Sequence, residues 1–73
     1  MATQIVMDHS GDSRHHFSLE DAEAVADAER RFKELTGRGF VAAVRTGTGE
    51  SRRVTTFEPT AEETLFFPRL VGG

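Results

Sequence analysis

The residues with the most specific chemical use in this sequence are Gly72 and Gly73, which follow Arg69-Leu70-Val71 at its C-terminal end. A C-terminal carboxylate that is to be activated must thread a narrow channel to the α-phosphate of ATP. There it forms an acyl-adenylate and is then attacked by a thiol or amine. Two glycines give the narrowest backbone and let it bend into a partner's active site. Arg69 and Leu70, just upstream, offer a charge and an apolar knob for recognition. Gly72 and Gly73 are therefore read as the activation and conjugation residues, and the chain itself needs no catalytic residue. Glycine fills 7 of the 73 positions, so an unselected Gly-Gly pair at a given place has a probability of roughly 0.01.

Other reactive side chains assemble less well. His9, His15 and His16 with Asp8 flank the first turn, where cross-strand neighbours could gather two imidazoles and a carboxylate. Adjacent strand residues such as His15 and His16 point to opposite faces, and no cysteine or second carboxylate completes the shell. No metal and no cofactor is assigned. Ser10-Gly11-Asp12-Ser13 and Thr46-Gly47-Thr48-Gly49 lack the Gly-Lys-Ser/Thr of a phosphate loop and read as hairpin turns. Glu20-Asp21 and Glu62-Glu63 read as helix-start and surface carboxylates, with no acid or base role. Of the nine basic residues only Lys33 is a lysine, so any reaction at a side-chain amine is confined to it. The bias toward arginine hints at a GC-rich, bacterial source.

Length bounds what can surround such a tail. At 73 residues, 37% hydrophobic, the chain forms one small domain that buries only roughly 60% of its unfolded surface. That leaves no interior for a large cofactor or a deep cleft, and an enzyme is not expected. Zero cysteines exclude a disulfide framework and a thiolate site, and they fit a reducing cytoplasm. The longest apolar run, Phe40 to Val44, is far short of a membrane span, and no signal peptide opens the chain. A net charge of −3 argues against nonspecific nucleic-acid binding and leaves proteins as the expected partners.

The elements that position the tail follow from periodicity. Thr3 to Asp8 and Arg14 to Leu19 alternate as two strands about a His9-Ser10-Gly11-Asp12 turn. Ser18, followed three residues on by Asp21, resembles a capping box, and Glu20 to Thr36 carries Val25, Ala28, Phe32 and Leu35 at helical spacing. Glu20, Asp21 and Glu23 lie in its first turn and Arg30, Arg31 and Lys33 toward its end, the order that the helix dipole favours. Gly37 stands where a left-handed C-cap is wanted. Phe40 to Arg45 and Arg52 to Phe57 form a second hairpin. Glu58 to Glu63 begins with a helix-start proline and makes one turn, and Thr64 to Phe67 is a buried fifth strand whose pairing weakens at Pro68.

The expected architecture is an α+β roll with a mixed five-stranded sheet packed on one helix, in the order ββαββ, short turn, β. Residues 1–68 are its domain and 69–73 a flexible tail. Its core comprises Ile5, Met7, Phe17, Leu19, Val25, Ala28, Phe32, Leu35, Phe40, Ala42, Val44, Val54 and Leu65, with the parity of Leu65-Phe66-Phe67 open to a one-residue slip. Val6, Val41 and Ala43 fall on the face away from the helix, where Val6 and Val41 are candidates for partner recognition.

This element order with a Gly-Gly end resembles the ubiquitin-like β-grasp family over nearly the whole chain. Thr3-Gln4-Ile5-Val6 is similar to the Met-Gln-Ile-Phe that opens ubiquitin, and Phe17-Ser18-Leu19 sits where the second strand hands over to the helix. Arg69-Leu70-Val71-Gly72-Gly73 is similar to the Arg-Leu-Arg-Gly-Gly end, with Val71 in place of an arginine and Pro68 in place of a leucine. The lysines used for ubiquitin chains are absent apart from Lys33. The resemblance implies a bacterial protein modifier whose Gly73 carboxylate is adenylated by an E1-like enzyme, passed to a thioester and joined to a target amine. Its implied partners are that enzyme, an E2-like enzyme, a metal-dependent isopeptidase and the target proteins. Two alternatives share the fold: a sulfur carrier with a terminal thiocarboxylate, and a noncovalent binding module.

Overall fold

In the computed structural model, which describes residues 1–45, 47 and 49–69, strands β1 (Ala2–Asp8) and β2 (Gly11–Phe17) open the chain. They are joined by a two-residue turn. Asp8 closes this turn by accepting from the Ser10 N–H at 2.9 Å and the Ser10 hydroxyl at 2.6 Å. Gly11 follows with φ +122°, a conformation that glycine adopts without a Cβ clash. The turn is His9-Ser10, shorter than the expected four residues, and β2 begins three residues earlier than Arg14.

Helix α1 (Ala22–Gly37) begins later than the composition suggested. Its N-cap is Asp21, whose carboxylate accepts from the Glu23 and Ala24 N–H groups at 3.1 and 3.2 Å. Ser18 instead accepts from the Glu20 N–H in a tight turn before the helix. Aspartate wins because one of its oxygens, Oδ1, reaches both N–H groups at once. Of the three acidic residues expected in the first turn only Glu23 is there, and the last turn holds no basic residue. The C-cap is Arg38, in right-handed conformation, and the left-handed position falls to Gly39 at φ +99°, two residues beyond Gly37. Ala28, Phe32 and Leu35 form the buried stripe, the i, i+4, i+7 spacing of one helix face.

Strand β3 (Phe40–Arg45) has the expected bounds, whereas β4 (Ser51–Val54) ends three residues before Phe57. Phe57 leaves the sheet to pack against Phe17 and Phe32, with ring centroids 6.5 and 5.9 Å away. One turn at Pro59-Thr60, closed by the Ala61 N–H on the Glu58 carbonyl at 3.2 Å, leads into β5 (Glu63–Pro68). The sheet order is β2-β1-β5-β3-β4, with β1 and β5 parallel and every other pair antiparallel. One helix on one face of this mixed five-stranded sheet makes the chain α+β. Pairing of β5 with β1 stops at Phe66, while pairing with β3 runs on to Pro68.

The core lies between helix and sheet. Phe66 is 0% exposed and meets Phe32 edge-to-face at 5.7 Å, a burial contributing about 1.5–3 kcal/mol. Phe17, Ala28, Phe32, Leu35, Ala42, Val44 and Val54 are buried as expected, and Val25 and Phe40 pack against them half-buried. Met7 and Leu19 are exposed, and Ile5 and Leu65 face away from the helix. The error is one of parity. With an even turn, cross-strand partners pair odd with even residues, so Ile5 lies opposite Arg14 and Phe17 opposite Ala2. Once Phe17 faces the helix, Ala2, Gln4 and Val6 must face it too. Among the described residues no helix is long and apolar enough to cross a membrane.

Candidate functional site

The register of β5 sets the outer face of the sheet beside Arg69. Thr64 and Phe66 turn toward the helix, so Leu65 and Phe67 emerge on the outer sheet face. Leu65 lies between Ile5 of β1 and Ala43 of β3, and Phe67 lies beside Val41. Ile5 and Ala43 are screened to 6% and 8% exposure by their neighbours, whereas Phe67 stays 37% exposed. The outer face is thus an apolar strip running along the central strands toward the point where the chain leaves β5 at Arg69.

Of the residues read as recognition elements, Val41 and Arg69 are brought together. Both line a shallow trough of about 550 Å³ with Phe67 and Pro68. Val6 is not part of it: it is half-buried on the helix side, against the cluster of Phe32, Leu35 and Phe66. Leu70, Gly72 and Gly73 lie outside the described residues, as do Thr46 and Thr48 of the second turn. Ile5 and Leu65, expected in the core, lie on the outer face, and the open parity of Leu65-Phe66-Phe67 resolves with Phe66 inward. The signal was present, since fixing Phe17 inward and counting across an even turn assigns all of β1.

Charge borders the strip. Arg45 of β3 pairs with Glu63 of β5 at 3.4 Å, and Arg14 of β2 with Asp12 at 3.8 Å. Both are solvent-exposed pairs that contribute little stability but fix where the charge sits. The histidines do not converge. His16 is on the outer face with its Nδ1 hydrogen-bonded to the Thr3 hydroxyl at 2.9 Å, His15 is half-buried on the helix side, and His9 is in the turn. Among the described residues no three metal-ligating side chains come together. Asp8 is held below the usual carboxylate range by the Ser10 hydroxyl and N–H that it accepts, and its oxygens thus serve the turn.

Comparisons with protein-family models, with curated proteins and with solved structures each return no significant match. The function is therefore argued from the residues themselves.

Proposed function

We propose that this chain is a ubiquitin-like β-grasp protein modifier, activated at the carboxylate of Gly73. The observation that carries the reading is the sequence Arg69-Leu70-Val71-Gly72-Gly73 directly following β5, the central strand of a ββαβββ sheet. Arg69 follows the middle strand of the sheet and lines the apolar trough of the outer face, so a partner bound there would hold the folded body next to the start of the peptide end. The chemistry then belongs to the partner. An E1-like enzyme joins the carboxylate to the α-phosphate of ATP with loss of pyrophosphate, and a cysteine thiol displaces AMP to give a thioester. A target amine then displaces the thiol to leave an amide. An E2-like enzyme would carry the thioester and a metal-dependent isopeptidase would reverse the bond. A cysteine-free chain suits that chemistry in a reducing bacterial cytoplasm, because no internal thiol competes for the activated carboxylate.

The test is mass spectrometry on the N-terminally tagged protein expressed in its own host, beside a version lacking Gly72 and Gly73. Trypsin cutting after Arg69 leaves Leu70-Val71-Gly72-Gly73 on any target amine. The expected result is that remnant on lysines of other proteins, only with the intact tail. A free protein heavier by the exchange of one oxygen for sulfur makes it a sulfur carrier instead. Unmodified protein alone, in cells where the pathway is running, leaves a noncovalent module.

A further inference from the structure

Most Lys and Arg side chains have a partner within the chain, and the rest line depressions at one end of the sheet. Five of the nine Lys and Arg side chains are in ion pairs: Arg14 with Asp12, Arg30 with Asp27, Lys33 with Glu29, Arg45 with Glu63 and Arg52 with Glu58. A sixth, half-buried Arg31, donates to the side-chain oxygen of Gln4 at 2.7 Å. Arg38, Arg53 and Arg69 remain, with no ion pair among the described residues. They come from three different elements, the C-cap of α1, strand β4 and the exit of β5.

Arg69 lines three neighbouring depressions around the end of β5, one shared with Arg38, Phe40 and Pro68 and two shared with Arg53 and Val41. No Asp or Glu lines any of the three, although the chain carries twelve. A carboxylate offsets the charge of five other cations but of none of these three.

We infer that this end of the sheet docks an acidic polypeptide segment of a partner, its carboxylates meeting Arg38, Arg53 and Arg69 and an apolar side chain resting on Val41 and Phe67. Guanidinium forks bind carboxylates bidentately, and the shallow trough between Arg53 and Arg69 has Val41, Phe67 and Pro68 in its lining as an apolar surface for a side chain to rest on. A nucleic acid fits less well, because a chain of net charge −3 repels a long polyanion beyond the three contacts on offer. The inference rests on the arginines and not on the chemistry of the tail, so it stands or falls separately from the modifier reading.

The experiment titrates full-length, nitrogen-15-labelled protein with the capped octapeptide Asp-Glu-Asp-Leu-Phe-Asp-Glu-Asp and follows amide shifts. Its controls are the same peptide with Asn and Gln for the acids, and an oligothymidylate of comparable length. Shifts are expected at residues 38–41, 53–55 and 67–69, weakening severalfold between about 20 and 200 mM salt. Arg38→Gln, Arg53→Gln and Arg69→Gln each weaken binding about two- to fivefold, and Arg30→Gln on the far helix face leaves it unchanged. All four are exposed substitutions, and the amide spectrum of each variant reports its fold. The proposal is overturned if the neutral peptide binds equally, if the shifts map to another face, or if about 1 mM acidic peptide moves nothing. Tighter binding of the oligothymidylate overturns it in favour of a nucleic-acid site.

Discussion

Gln4 is 0% exposed on the helix-facing side of β1, a place where an apolar residue is the usual occupant. Its side-chain N–H donates to the Ala28 carbonyl at 3.0 Å and its oxygen accepts from Arg31 at 2.7 Å. Both polar ends are satisfied, so burial carries no orphan penalty and the residue instead ties the sheet to one register of the helix. His15 lies directly across from Gln4 and shares a depression with Arg31 and Asp27, the latter already paired with Arg30. Burial lowers its pKa below the ordinary 6.5, and the nearby charges of Arg31 and His16 lower it further. The folded state therefore binds this proton less readily than the unfolded chain. Stability contributed at this site is complete above the unfolded value and is lost as pH falls through it toward the folded one. Urea unfolding midpoints at about pH 7.5 and 5.5, above the carboxylate range, should fall for the native protein and fall less for His15→Gln. An equal fall in both would remove His15 as the cause.

At the scale of elements, the ends of helix α1 give the cleanest reading of what sequence patterns carry. The apolar stripe of Ala28, Phe32 and Leu35 was legible because its 3.6-residue period is a property of the helix alone. Its ends depend on which polar group reaches an N–H first and which residue can turn left-handed, and neither is periodic. Gly37 and Gly39 separate the two roles. Gly37 is inside the helix with nothing within 4 Å of where a Cβ would stand, so Gly37→Ala should stabilise by about 0.5 kcal/mol through the unfolded chain's lost freedom. Gly39 sits at φ +99°, where a side chain is strained whatever the space around it. Gly39→Ala should cost about 1–2 kcal/mol. Opposite signs in denaturant titrations confirm that the C-cap turn belongs to Gly39, and the reverse order would return it to Gly37.

For the molecule as a whole, element order along the chain was legible, because turn residues and apolar runs mark it out, whereas the central place of β5 shows only in the paired sheet. The faces of β1 follow from Phe17 and an even turn, and they oppose the expectation that Ile5 and Met7 alternate toward the core. Ile5 is buried, but beside Leu65 on the outer face, between neighbouring strands. Of the candidate site, Val41 and Arg69 emerged from sequence while Phe67, Arg38 and Arg53 did not, since they meet only once β3, β4 and β5 are side by side. The strand that decides both core and outer face is β5, and its two adjacent phenylalanines test the assignment in one experiment. Phe66 fills the centre of the core against Phe32, and Phe66→Ala should cost about 3–5 kcal/mol. A chain of 73 residues has a total stability of roughly 4–11 kcal/mol, so this variant should lose most of its thermal transition. Phe67→Ala removes a ring that water already reaches, should cost about 1 kcal/mol or less, and should leave the amide spectrum dispersed. If Phe67→Ala were the one to unfold, the sheet would present its other face to the helix, and the apolar strip beside Arg69 would be core, closed to any partner.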